Sequence, residues 1–178
     1  MRTMLHSLDH RFTAIIQGWS NWVRPFMLFA TLVGQPIFTV GIGALIAGIG
    51  WGASNESLFM AGIIAVATFG ISTLAKLYFR RDRPVTEYVA RMRFDTYSMP
   101  SGHAAGAATS YGLLAIIFCP MVPMLWAYVI GILTSLLVLL IGVSRVYLGA
   151  HYPSDVIAGW LLGLAGLVSI IFIVQPSL

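Results

Sequence analysis

Charge is the first thing this sequence does without. Asp, Glu, Lys and Arg make up only 9% of its 178 residues, against about 25% in soluble domains, which excludes an ordinary water-soluble globule. Cysteine is almost missing too: the single Cys119 rules out an internal disulfide and, in a helix-connecting turn, suggests no chemistry of its own. No internal repeat, low-complexity tract or long linker breaks the chain, so 1–178 reads as a single membrane-embedded domain. The N-terminal segment does not follow the plan of a cleaved signal peptide. Asp9, His10 and Arg11 stand where a charge-free apolar region should form, so the first membrane segment is expected to do the targeting.

What the chain has instead is apolar surface: 58% hydrophobic residues and a mean hydropathy of +0.88. Four stretches carry no formal charge: Pro25 to Asn55, Ser57 to Ala75, His103 to Ser144 and Val156 to Leu178. A membrane span needs roughly 20 apolar residues, so the third stretch, broken at "CPMVP", holds two helices and the others one each. The fold expected is therefore an all-α integral membrane bundle, with spans near 34–52, 57–78, 102–118, 123–143 and 155–174. Residues 1–33 mix Arg11, Arg24, Trp19 and Trp22 with apolar positions and read as an interfacial or re-entrant helix, a sixth span being the alternative.

The few charges are concentrated. Most fall between Lys76 and Asp95, and Arg145 with Asp155 bracket a second short segment. Counting spans puts the loop near 79–101 and the loop near 144–154 on the same membrane face, so two polar clusters distant in sequence can converge at one end of the bundle. "KLYFRRDRP" alone reads equally as a basic anchor for lipid headgroups. "SRVYLGAHYPSD" is harder to dismiss, because an Arg, a His and an Asp at a membrane boundary are costly unless they pair or act. Asp82, Glu87 and Asp95 are expected to pair with Arg80, Arg81, Arg91 or Arg93 within the loop.

"PSGH", Pro100 to His103, opens the third span. It is either a plain helix start capped by Ser101 or an anion site, since the first N–H groups of a helix have no intrahelical partner. If the two loops meet there, Lys76, Arg83 and Arg145 supply three cations, Ser101 and the neighbouring backbone supply donors, and His103 and His151 supply two imidazoles. Guanidinium forks and an ammonium fit phosphate oxygens and the charge that phosphoryl transfer spreads over them. Two histidines permit covalent catalysis, one attacking phosphorus and the other protonating the leaving oxygen. Asp155 can reach back to orient His151, with Pro153 disfavouring helix at Tyr152 and Ser154 capping the last span. A metal is not expected: the three cations would repel it and no second carboxylate stands near.

Three separated pieces then line up with one pattern: K-x6-R-P through Lys76, Arg83 and Pro84; P-S-G-H from Pro100 to His103; and S-R-x5-H-x3-D through Ser144, Arg145, His151 and Asp155. This strongly resembles the type-2 phosphatidic acid phosphatase family of membrane lipid phosphatases, which shares its site with vanadium haloperoxidases. The resemblance implies a phosphohistidine intermediate on His151 oriented by Asp155, His103 as the acid for the leaving group, and Lys76, Arg83, Ser101, Gly102 and Arg145 holding the phosphate, with no metal or other cofactor. Many bacterial members have six spans, with one before the segment resembling "LDHRFTAIIQGW", and that span is expected to be missing here.

The partners implied are the lipid bilayer and a membrane lipid phosphate; no nucleic acid is expected. Phosphatidylglycerophosphate, phosphatidic acid, undecaprenyl pyrophosphate and lipid A phosphate all fit. The rivals are a haloperoxidase and a non-catalytic protein that binds or transports lipid headgroups, which would need the basic residues but not His151 and Asp155 in register with His103. The resemblance places the protein in the bacterial cytoplasmic membrane with its site facing the extracytoplasmic side. The positive-inside rule argues the other way, because every Arg and the one Lys fall on the site's face.

Overall fold

The computed structural model describes residues 2–92 and 96–174. Among the described residues there are eight α-helices and no strand: α1 (Arg2–Gln17), α2 (Arg24–Val33), α3 (Pro36–Gly52), α4 (Glu56–Phe79), α5 (Glu87–Ala90), α6 (Gly102–Phe118), α7 (Met124–Tyr147) and α8 (Pro153–Val174). Five segments among the described residues are long and apolar enough to cross a membrane. Four follow the expected spans. The first is longer than expected, running from Asn21 to Gly52 through a break at Gly34 and Gln35. The sequence boundary at residue 34 therefore falls at the break inside the first span, and only α1 stands apart as the N-terminal helix.

A break in an apolar span leaves backbone carbonyls that lipid cannot satisfy. Here Tyr111 on α6 supplies the donor: its hydroxyl reaches the Val33 carbonyl at 2.8 Å. Ser110 likewise donates to the Thr39 carbonyl at 2.7 Å, tying α6 to both halves of the interrupted span.

Helix α6 is the axis of the bundle, packed against α3, α4, α7 and α8. Its buried face is a run of small residues, Ala104, Ala105, Gly106, Ala107 and Ala108, which lets neighbouring backbones come close where no hydrophobic force drives helices together. Gly159 of α8 makes the need plain, because a Cβ there would lie 2.5 Å from the Ser101 carbonyl oxygen. That close approach seats the start of α6 directly against the second turn of α8. By contrast, most of α7 faces outward, exposing Leu125, Ile132, Leu133, Leu136 and Leu139.

The ends of these helices assemble the polar end of the bundle. Helix α4 starts on Asn55, whose side chain accepts from Leu58 N at 2.9 Å, and stops at Arg80 in the left-handed region, φ 46°. Helix α1 exposes Leu8, Phe12 and Ile15 while burying Asp9 and Thr13. It packs across the ends of α7 and α8, the placement expected of a helix lying in the membrane interface.

Candidate active site

Arg145 closes the last turn of α7, and the chain then reverses within six residues. Gly149 makes this possible at φ +72°, a conformation that costs glycine nothing. The Arg145 carbonyl holds the turn, accepting from Ala150 N at 2.9 Å and His151 N at 3.2 Å. Pro153 opens α8, as its fixed φ and missing N–H favour. Ser154 is thus inside the helix and not its cap as expected from sequence, because Pro153 already starts the helical turn. Asp155, two residues further, turns back so that its Oδ2 accepts from Tyr152 N at 2.9 Å, the carboxylate half of a capping box.

That bond aims the carboxylate at His151. Oδ2 lies 3.5 Å from His151 Nδ1, which has no other hydrogen-bond partner in its buried position. The separation is long for a hydrogen bond, but such contacts often tighten only when substrate binds. The other ring nitrogen, Nε2, faces the Arg83 guanidinium at 3.3 Å. Burial, and then the charges of Arg145, Arg83 and Lys76, hold the imidazole pKa of His151 well below its usual value. The ring is therefore neutral near pH 7, with a lone pair available at the nitrogen that faces the cations.

Lys76 and Arg83 are fixed by the backbone they organise, Arg145 by two hydroxyls. Lys76 Nζ donates to the Tyr97 carbonyl at 2.9 Å. Arg83 donates to the Thr96 carbonyl at 2.7 Å, to Thr96 Oγ1 at 2.9 Å and to the Ala150 carbonyl at 2.9 Å, so it joins the two loops expected to converge. Arg145 is 2% exposed. Its Nη1 donates to Thr31 Oγ1 of α2 and to the Tyr88 hydroxyl of α5, and its Nε is buried with no protein partner. A buried donor without an acceptor is costly, and a cluster of cations around it is a setting that suits an anion.

The start of α6 completes the arrangement. Ser101 is its N-cap, accepting from Ala104 N at 3.5 Å, while its own N–H donates to the Asp155 carbonyl at 2.9 Å. Gly102 sits against Phe69 and Ser72 of α4. His103, one residue on, lies in the electrostatic field of Arg145, His151, Lys76 and Arg83 and beside Gly34 at the break in the first span. All eight residues singled out from the sequence thus lie at one end of the bundle. From Lys76 and Arg83 a cavity of about 700 Å³ opens between α4 and the loop before α5, walled by Leu74, Leu77, Val85 and Val89. Among the described residues no three His, Cys, Asp or Glu side chains converge on one point.

The loop charges behave differently from expectation. Glu87 and Arg91 do pair, at 3.5 Å and in the open. Arg81 does not pair within the loop. It turns inward to Asp155 and to Asp9 of α1, because two buried carboxylates there need a counterion more than the solvated loop carboxylates do. Asp95 and Arg93 lie outside the described residues. Thr31, Tyr88, Asp9 and Arg81 were all missed by the motif reading. Only Arg81 carried a signal, as a further arginine inside a motif that already had its cation.

Residues 56–177 match the sequence profile of the PAP2 superfamily. The chain is 30% identical over 149 residues to phosphatidylglycerophosphatase B of Bacillus subtilis (strain 168), covering 80% of this chain and 71% of that protein. Over 76 residues it is 41% identical to an undecaprenyl-diphosphatase of Sulfolobus acidocaldarius, 43% of this chain and 33% of the relative. In three dimensions it resembles the crystal structure of a transmembrane PAP2-type phosphatidylglycerolphosphate phosphatase from Bacillus subtilis, with a TM-score of 0.82 at 23% identity, covering 98% of this chain and 88% of that one. Aquifex aeolicus LpxE shares the fold at a TM-score of 0.64 and 19% identity, covering 94% and 95% of the two chains.

Proposed function

Because the chain belongs to the PAP2 superfamily, we propose that this membrane lipid phosphatase hydrolyses the phosphomonoester or pyrophosphate of a lipid headgroup through a phosphohistidine on His151. One observation carries the reading: a neutral, buried imidazole has one nitrogen on a carboxylate and the other on a cluster of cations that includes a buried, unpartnered guanidinium N–H.

In the first step His151 Nε2 forms a bond to phosphorus while the bond to the leaving oxygen breaks. Lys76, Arg83 and Arg145, with the first N–H groups of α6 at Gly102, take up the charge on the remaining phosphoryl oxygens. His103 gives its proton to the leaving oxygen, and Asp155 stabilises the positive charge that develops on the His151 ring. In the second step His103 takes a proton from water as the water oxygen attacks phosphorus, the P–N bond breaks, and inorganic phosphate leaves. The hydrocarbon chain lies along the apolar groove beside Leu74, Leu77, Val85 and Val89, where it stays in contact with the bilayer.

Phosphatidylglycerophosphate leads the candidate substrates on the strength of the Bacillus relative. Phosphatidic acid, undecaprenyl pyrophosphate and lipid A phosphate share the headgroup chemistry. We place the protein in the bacterial cytoplasmic membrane with the site on the extracytoplasmic face, following the family resemblance. The test is phosphate release from short-chain versions of these lipids with EDTA present throughout, alongside rapid quenching in alkaline detergent to trap a phosphoprotein. Release in EDTA, with an acid-labile phosphoprotein that His151→Ala cannot form, supports the reading. Activity that disappears with EDTA and returns with a divalent cation overturns the metal-free mechanism.

A further inference from the structure

Behind the nucleophile, Arg81 is gripped by two carboxylates from opposite ends of the chain. Its Nη1 donates to Asp155 Oδ1 at 2.9 Å and to Ser154 Oγ at 2.5 Å, and its Nη2 donates to Asp9 Oδ2 at 2.6 Å. Asp9 closes the ring, its Oδ1 accepting from Ser154 N at 3.0 Å and its Oδ2 from Ser154 Oγ at 2.6 Å. The Tyr152 ring covers the guanidinium, with 4.3 Å from its carbon to the ring centroid. The side chains of Asp9 and Asp155 are 4% and 0% exposed. Carboxylates withdrawn from water this far are held by good geometry and further hydrogen bonds, and here all of these bonds but the one between Arg81 and Asp9 end on the first turn of α8.

We infer that Arg81 and Asp9 are positioning residues for the reaction: Arg81 anchors one oxygen of Asp155 so that the other stays on His151, and Asp9, delivered by α1, anchors Arg81. The reasoning is geometric first. Tyr152 N and His151 both engage Oδ2; Arg81 on Oδ1, with the Ser98 side chain also bonded to the carboxylate, fixes its plane. It is also a matter of charge. When Nε2 bonds to phosphorus the His151 ring becomes cationic, among Lys76 of α4, Arg83 of the loop and Arg145 of α7, with His103 of α6 nearby. Asp155 alone would be cancelled by Arg81. Asp9 restores one net negative charge on that side of the ring. The N-terminal helix, which supplies none of the residues expected to hold the phosphate, thereby belongs to the catalytic apparatus.

This inference rests on the phosphohistidine reading, and its test separates the two. The variants are Arg81→Gln and Asp9→Asn, each assayed with a short-chain alkyl phosphate and with nitrophenyl phosphate. Each is expected to lower kcat by about 10–100-fold, the usual cost of losing a ligand's outer support. KM should stay within about twofold, because the phosphate cations are untouched, and the loss should be equal on both substrates, because the nucleophile's side of the reaction is affected. In an Asp155→Asn background the same substitutions should cost little more, since residues acting as one unit are not additive. A loss that persists undiminished in Asp155→Asn, a loss that appears in KM, or wild-type kcat in both variants would overturn the inference. If Arg81→Gln or Asp9→Asn does not fold, Arg81→Lys and Asp9→Glu keep the charges and carry the same cycle, with the same outcomes deciding. A wild-type protein that releases no phosphate from any lipid phosphate defeats the phosphatase reading itself, whereas an active wild type with unaffected variants defeats only this inference.

Discussion

His151 is the residue on which most depends, and its surroundings make separable demands. In the proposed role of nucleophile it should tolerate no replacement: His151→Ala is expected to lower turnover about 10³-fold or more with the protein still folded, and a purified variant keeping a tenth of wild-type turnover would exclude the assignment. His103→Ala should instead be selective. A nitrophenyl leaving group departs with little protonation, so the loss on nitrophenyl phosphate should be much smaller than on an alkyl phosphate; equal losses would count against His103 as the acid. Burial also gives His151 a pH signature. Its folded pKa is lowered, so below the unfolded value of about 6.5 the unfolded chain binds a proton that the folded chain refuses. Stability from this site is complete above that pH and falls by at most about 1.4 kcal/mol per unit as pH drops toward the folded pKa. The melting temperature of His151→Gln should therefore change less between pH 7 and pH 5 than that of the wild type. At this scale the sequence was informative where chemistry imposes spacing. Lys76, Arg83, His103, Arg145, His151 and Asp155 stand in three short motifs because each needs its neighbour at a fixed offset. Asp9 was not legible as part of the site, since only folding brings it across 145 residues to Ser154.

Elements were legible to the extent that they are uniform. The charge-free stretches gave α4, α6, α7 and α8 because hydrocarbon length sets helix length. The first span was misjudged for a physical reason: Gly34, Gln35 and Pro36 have the look of a helix start, and nothing local shows that Tyr111, far along the chain, satisfies the carbonyl left open at the break. The turn between α7 and α8 makes a prediction of its own. A Cβ on Gly149 would meet the Thr86 methyl at 2.5 Å and add strain at φ +72°, a cost of about 1–3 kcal/mol. Gly149→Ala should lower the melting temperature by several degrees and depress activity, because Arg145 and His151 sit on either side of the turn. Adding Thr86→Ser, which removes that methyl and keeps the hydroxyl bonded to the Gly149 carbonyl, should recover part of the loss in a thermal melt.

For the whole molecule, parity decides what a labelling experiment reads. The connections at 53–55 and 119–123 lie at one end of the bundle, and the polar site lies at the other. After Cys119→Ala, a cysteine replacing the exposed Glu87 should react with a membrane-impermeant maleimide on intact cells, while one replacing Ala53 stays protected. The reverse pattern would place the site in the cytoplasm, make the arginine bias the better guide to orientation, and favour phosphatidic acid or phosphatidylglycerophosphate over lipids whose phosphates are presented outside.

The contrast between α6 and α7 reaches beyond the site. The first half of one helix is a wall of small residues, buried from Ala104 to Ser110, and the other turns its leucines and isoleucines outward. Random mutagenesis should therefore record the architecture as a map of permissiveness. Between residues 104 and 107 an added methylene meets packed neighbours, and surviving clones should be almost unchanged there. Along the outward face of α7, Leu, Ile, Val, Phe and Met should exchange freely, because the lipid tails they meet reshape themselves around whichever one is present.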